Sequence, residues 1–301
     1  MAALICGSLA FDTLMGFEGR FAQQILPDRL HQLNVAFQVP TLRREFGGCA
    51  GNIAYSLKLL GGTPLPVATL GSDGAGYLQR LHTLGIATRF VQQTDHAFTA
   101  QAMVITDRDN HQITAFHPGA MVHAQPLDLG MDHGIALASL SPDTHASMLR
   151  NARLFAAAGI PFVFDPGQAL PMFTGAELDD LLSLARWVVA NDYEACMLSE
   201  RTGLGRAALS RRVDGLVVTL GAEGSEVWEQ GCKAAIPPVQ ATALCDPTGC
   251  GDAFRGALLY GLEAGWSLQR CAVLGNHMGA RKIASQGAQN YTVDLELLVS
   301  S

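Results

Sequence analysis

The chain has 301 residues, 49% of them hydrophobic and 16% charged, with a formal net charge of −7. That is apolar material for one large α/β core, and an acidic balance with three scattered lysines (Lys58, Lys233, Lys282) excludes a basic face for nucleic acid. No apolar run reaches the roughly 20 residues that cross a bilayer, and no linker, low-complexity stretch or fixed-period repeat divides the chain. A single domain over 1–301, soluble and cytoplasmic, is therefore expected. The segment Met1 to Gly7 lacks basic residues and reads as a buried strand, not a signal peptide. Seven cysteines without a C-x-x-C pair point to reduced thiols.

Apolar runs alternate with helical patterns along the chain. Strands are expected at 3–9, 65–70, 134–140, 161–164, 187–190 and 216–220. Between the first two, the cluster Gly47-Gly48-Cys49-Ala50-Gly51-Asn52 opens a helix that carries Ile53, Leu57 and Leu60 at helical spacing and closes at Gly61-Gly62. The alternation predicts a mostly parallel sheet with helices on both faces, and ligands beyond the carboxyl ends of its strands. Asp12, Asp73, Asp165, Asn191 and Thr219 each follow an apolar run closely, so one rim of one sheet is expected to hold the chemistry. The turn Gly71-Ser72-Asp73-Gly74-Ala75-Gly76 is not a dinucleotide fingerprint, because its spacing is not G-x-G-x-x-G.

Two stretches, about 14–46 and 97–118, break the alternation. The period-two segments 99–105 and 111–116, separated by Asp107-Arg108-Asp109-Asn110, predict a small second sheet. Among nine histidines, His111, His117 and His123 show no short metal-ligand spacing, so no structural zinc is expected.

The most informative segment is Asp246-Pro247-Thr248-Gly249-Cys250-Gly251-Asp252, which runs directly into the apolar helix pattern from Ala253. Gly249, Cys250 and Gly251 can aim backbone N–H groups at one point, where a helix N-terminus adds positive charge for a phosphate. Asp252 stands where it can take a hydroxyl proton; an ordinary Asp helix cap would read the same way. Cys250 is read as a small residue rather than a catalytic thiol. No G-x-x-x-x-G-K-[ST] loop exists, so no P-loop lysine is present; Arg255, close to one helical turn beyond Asp252, can share in neutralising a phosphate or can equally pair with a surface carboxylate.

The two glycine clusters together resemble the signatures of the ribokinase-like (PfkB) family of carbohydrate and nucleoside kinases. Asp12, Asn191-Asp192-Tyr193-Glu194 and Thr219-Leu220-Gly221 extend the resemblance along nearly the whole chain. Within the family the chain is most similar to bacterial adenosine kinases, through 7–15, Gly19-Arg20-Phe21, Leu26-Pro27, 116–121 and Asp165-Pro166-Gly167-Gln168. The resemblance implies a three-layer α/β/α sandwich in which the two irregular stretches build a lid, and the 71–76 turn shapes the acceptor side unless it is merely structural. It implies ATP-dependent phosphorylation of the 5′-hydroxyl of adenosine, with Asp252 as base, Gly249 to Gly251 as anion hole, and Glu194 organising Mg²⁺ through water. Ser8, Asp12, Gly48, Asn52, Phe116 and Gln168 would line the acceptor site; Asp12 and Asn52 would take ribose hydroxyls, and Phe116 would pack on the purine. One departure is that Ala102 and Met103 stand where a second aromatic would complete that platform. ATP would lie along Asn191, Thr219, Gly221, Gly251, Arg255 and Asn276. Potassium on backbone carbonyls near Asp246, and a homodimer through the lid, are further family expectations. Two alternatives stay open here: a PfkB sugar kinase for ribose or fructose, and a nucleoside-binding protein without catalysis.

Overall fold

In the computed structural model, which describes residues 2–109, 111–130 and 134–294, most apolar runs become strands that alternate inward and outward. The strands are β1 Ala2–Cys6, β2 Ala10–Gly16, β3 Thr41–Gly47, β4 Pro64–Leu70, β5 Val91–Gln93, β6 Ala100–Thr106, β7 Gln112–His117, β8 Ile135–Leu140, β9 Phe162–Phe164, β10 Trp187–Asn191, β11 Gly215–Thr219, β12 Ser225–Glu229 and β13 Cys232–Ile236. The helices are α1 Phe21–Gln24, α2 Cys49–Leu59, α3 Ala75–Thr83, α4 His145–Ala157, α5 Gly175–Leu184, α6 Asp192–Thr202, α7 Arg206–Leu209, α8 Cys250–Glu263 and α9 Leu268–Ile283.

The large sheet has the order β13-β12-β11-β10-β9-β8-β1-β4-β5. From β5 to β11 all neighbours are parallel, and β12 and β13 complete one edge antiparallel. Parallel pairing needs long crossovers, and helices supply them on both faces. Strand parity decides which face each side chain joins. Leu4, Cys6, Phe162, Phe164, Val188 and Val218 pack with Met148 and Phe155 of α4, Leu181 of α5 and Leu198 of α6. Their neighbours Ala3, Ile5, Val163, Val189 and Val217 pack with Ile53 of α2, Tyr77 of α3, Phe254 of α8 and Cys271 of α9. The result is the expected ribokinase-like α/β fold with a large, mostly parallel sheet. Among the described residues no helix is long and apolar enough to cross a membrane.

The small sheet has the order β3-β2-β6-β7, with β2 and β6 parallel and both outer pairs antiparallel. It begins earlier than the sequence suggests. The run expected as one strand to Leu9 stops at Cys6, and the chain turns at Gly7 and Ser8 and re-enters as β2 at Ala10. The turn serves α2, whose first amides Ala50 N and Gly51 N donate to Ser8 O at 3.0 and 3.4 Å. Asp12 consequently lies within the small sheet, paired with Glu45 on β3 and Ala102 on β6. At the other end, the Asp107 carboxylate holds the β6–β7 turn by accepting from the amides of Phe21, Asp109 and His111. Asn110, in that turn, lies outside the described residues.

Gly48 sits where the small sheet passes into α2, with φ 86°. A methyl group there would lie 2.5 Å from Ser8 O and 2.6 Å from Ala10 N. Gly61, with φ 85°, faces open space. Gly48→Ala should therefore cost about 2–4 kcal/mol and Gly61→Ala only about 1 kcal/mol, read from urea unfolding midpoints. Equal losses would show that the close approach at Gly48 is easily relaxed.

Candidate active site

The loop before α8 is folded by its own first residue. Asp246 accepts from Thr248 N through Oδ1 and from Gly287 N through Oδ2, both at 2.9 Å. Gly249 then takes a left-handed conformation, φ 80°, as the cap of α8. Cys250 N is spent on Pro247 O at 3.2 Å, so this residue's amide closes the turn and is not one of the free donors expected of it. Among the described residues, Gly249 N, Gly251 N and Asp252 N donate to no protein group. Unpaired donors and the positive end of a fourteen-residue helix together make an anion site. Burial pushes the Cys250 thiol up to about 11, which keeps it protonated and inert.

Asp252 is held from the side. Asn52 Nδ2 donates to its Oδ2 at 2.8 Å. Asn52 Oδ1 accepts from Gln289 Nε2 at 3.1 Å, the same nitrogen reaches Tyr77 Oη at 2.8 Å, and Tyr77 Oη donates to Gly47 O at 2.6 Å. Burial raises the Asp252 carboxyl to about 6, with Asp165 and Glu194 adding to the rise and Arg255 and Asn52 opposing it. Desolvation thus outweighs the helix terminus, which favours the ionised form. Asn52, expected on a ribose hydroxyl, has its amide oriented by Asp252 and Gln289.

Arg255 also departs from expectation. Its guanidinium is buried, with Nη2 donating to Asp165 Oδ1 at 2.6 Å and lying 3.7 Å from Glu194 Oε2, while Nη1 donates to Gly251 O at 3.2 Å. Both terminal nitrogens are thus engaged by protein groups, while Nε is buried with no partner among the described residues. The guanidinium holds the acidic cluster under the anion site. Asn191 and Glu194 form a reciprocal cap on α6, Asn191 N to Glu194 Oε2 and Glu194 N to Asn191 Oδ1, both at 2.8 Å. Burial raises the Glu194 pKa, opposed by Arg255. Asp165, Glu194 and Asp252 thus share one guanidinium, leaving a charge deficit of the kind a divalent cation relieves.

On the small sheet, Asp12 is the residue without a partner. Among the described residues its carboxylate receives no hydrogen bond, and burial, with Asp252, Asp246 and Glu45 behind it, raises it to about 7. Register places Glu45, Asp12, Ala102 and Phe116 in one cross-strand row on one face. Phe116 is 54% exposed, an open ring and not a walled pocket. Ser8 is turned inward, its Oγ accepting from Cys49 N at 3.1 Å, which makes it a pin for α2 and not a free base contact. Gln168 is exposed after β9, and Thr219 and Gly221 flank the end of β11. Asn276 donates to Pro237 O at 2.9 Å, so its amide secures the β13 exit instead of waiting for adenine. Asp73 roots the small sheet: it accepts from Thr99 N at 2.7 Å and from Arg44 Nη2 at 2.8 Å, which gives the 71–76 turn its structural purpose.

Sequence reading missed Gln289 and Tyr77, which stand far from Asp252 along the chain and carry no motif. It also passed over Lys282, whose Nζ donates to Asp246 O at 2.7 Å from a fully buried position. A lysine in the apolar pattern around Met278 was its only trace.

The pfkB family carbohydrate kinase model matches residues 21–294. The chain belongs to that family. It is a phosphotransferase of the nucleoside and sugar kinase group. It is similar to the nucleoside kinase of Burkholderia thailandensis, solved with inosine, at 45% identity and TM-score 0.89 over 99% of this chain and 96% of that one. A nucleoside kinase from Methanocaldococcus jannaschii is 28% identical over 87% of both chains. Mouse ribokinase is 29% identical over 84% of this chain and 83% of its own.

An unpaired, partly buried carboxylate has a stability signature. Because the folded pKa of Asp12 is raised, its contribution is most favourable below the unfolded value and is lost as pH rises through about 7. Asp12→Asn should therefore be more stable than the natural chain at pH 8, with the gain shrinking toward pH 5, in urea unfolding at each pH. A gain that is constant or grows toward acid would contradict the raised pKa.

Proposed function

We propose that this chain is an ATP-dependent nucleoside kinase that transfers the γ-phosphoryl group to the 5′-hydroxyl of a purine nucleoside, converting adenosine to AMP. The observation that carries the reading is the row on the small sheet. Asp12 offers an uncommitted carboxylate, suited to two vicinal hydroxyls. Phe116, two strands away on the same face and about 10 Å distant by strand spacing, offers an aromatic surface for a base. Ala102 between them is small enough to leave room. The inosine complex of the Burkholderia relative, and that protein's ADP–inosine complex at 46% identity, support a nucleoside acceptor and an adenine nucleotide donor.

In the reaction, Asp252 accepts the proton of the 5′-hydroxyl as its oxygen bonds to phosphorus, and the bond from phosphorus to ADP breaks. The amides of Gly249, Gly251 and Asp252 neutralise the migrating group. Asn52 keeps the base oriented and ionised, while Arg255 fixes Asp165 and Glu194 below it. The acidic cluster fits Mg²⁺: Glu194 would hold the ion, through water, and the ion would offset charge on the transferring phosphates. ATP lies past the end of β11, beside Thr219, Gly221 and Asn191. The small sheet closes as a lid that keeps water from the γ-phosphate, and two copies pair through it.

The likeness to mouse ribokinase and the openness of Phe116 favour one competing reading, a kinase of free pentoses, which needs Asp12 but no aromatic platform. Phosphorylation of adenosine, inosine, ribose and fructose by the purified protein separates the two. Nucleosides should lead in kcat/KM, and Phe116→Ala should raise nucleoside KM by about tenfold; ribose or fructose in first place would overturn the assignment. Asp252→Asn should lower kcat by about 10³-fold or more with nucleotide affinity nearly unchanged, measured by initial rates and ADP titration. Near-normal turnover in that variant would remove Asp252 from the role of base.

A further inference from the structure

Lys282 stands in the last turn of α9 with its side chain fully buried. A buried ammonium has to be matched by oxygen atoms, and three converge on it. Asp246 O lies at 2.7 Å, Ser285 O at 3.3 Å and Asp246 Oδ2 at 3.9 Å. The negative end of α9 adds to the field. Burial lowers the lysine's pKa, and the Asp246 carboxylate opposes that fall.

Backbone bonds beside these oxygens, one of them to Asp246 Oδ2 itself, stitch two turns together. Cys245 N and Asp246 N donate to Ile283 O at 2.8 and 3.1 Å, and Gly287 N returns to Asp246 Oδ2 at 2.9 Å. Ala288, next along, packs against Gly249, where an added methyl group would meet it at 2.7 Å. Between the turns 245–249 and 283–288, which position the anion loop, lies the buried ammonium of Lys282. Arg43 also comes close to Asp246, with Nη2 at 3.9 Å from Oδ2, from a partly exposed position.

The family resemblance leads to potassium on backbone carbonyls near Asp246. The carbonyls here do not fit that ion, because an alkylammonium of the same charge and similar size already sits on them. We propose that Lys282 is a built-in monovalent cation: its ammonium takes the place of potassium in the oxygen cage of Asp246 and Ser285 and sets the anion loop without added salt. Lys282 touches no reacting atom and is a positioning residue. The kinetic arm of its test rests on the kinase reading; the melting arm does not.

The experiment compares KCl, NH₄Cl, LiCl and tetramethylammonium chloride at equal ionic strength, for the natural protein and for Lys282→Met. The natural protein should keep kcat within about twofold across the salts, and its melting temperature should not rise in KCl above that in tetramethylammonium chloride. Lys282→Met should lose about tenfold or more of kcat in tetramethylammonium chloride and recover it in KCl or NH₄Cl but not LiCl, with a matching potassium-specific rise in melting temperature. Activation of the natural protein by potassium of more than about tenfold, or a potassium-specific rise in its melting temperature, would overturn the proposal. So would a folded Lys282→Met that responds alike to every salt. If that variant folds in no salt, Lys282→Gln takes its place under the same criteria, and the melting response of the natural protein still decides. A failure of the kinase reading shows separately, as loss of ADP formation with every acceptor in every salt.

Discussion

Three carboxylates gathered around one guanidinium impose the constraint on which the site depends. Asp165, Glu194 and Asp252 lie in surroundings dry enough to raise the pKa of Asp252 to about 6, and Arg255 is the first of two groups that oppose the rise. A proton acceptor is useful only while it is charged, so the fold has to hold a charge where burial disfavours it. The hydrogen bond from Asn52 does part of this, and Asn52 is itself fixed through Gln289 and Tyr77 to the backbone at Gly47. That chain ties α2, α3, α8 and the segment after α9 into one unit. The acid is thereby positioned by the glycine junction at the root of the small sheet as well as by its own helix.

The core was legible because a parallel sheet buried on both faces leaves short, nearly continuous apolar runs, and here their boundaries match the strands to within a few residues. The two glycine junctions were legible for a related reason: Gly48 and Gly249 both need positive φ at a helix entry, and little besides glycine serves there. The residues whose partners the sequence leaves open share a different physics. Ser8, Asn52, Arg255 and Asn276 are polar groups at element ends, where the same donors can meet either a ligand or the protein's own backbone and carboxylates. Sequence names the residue but not its partner. The structure gives all four internal partners. Asp12, expected on the rim of the large sheet, lies in the small one, because the break at Gly7 and Ser8 carries its strand there.

Asp12 and Lys282 show opposite treatments of buried charge. Lys282 is enclosed and matched by oxygens at every approach that the described residues provide, as a structural ion should be. Asp12 is half-enclosed and unmatched, with other carboxylates behind it. The row thus carries an electrostatic cost, and the acceptor hydroxyls of the proposed reaction are donors that would relieve it.

The pH dependence of kcat/KM with nucleoside tests the central claim about Asp252 most directly, run on the natural protein and on Asn52→Leu. The acid limb should fall with an apparent pKa near 6, distinguished from the Asp12 titration by using Asp12→Asn as background. Removing the Asn52 donor withdraws support from the charged carboxylate, so the limb should move to higher pH by about one unit. A profile flat down to pH 5, or a limb that stays in place when Asn52 is replaced, would contradict the account of how this acid is held ready.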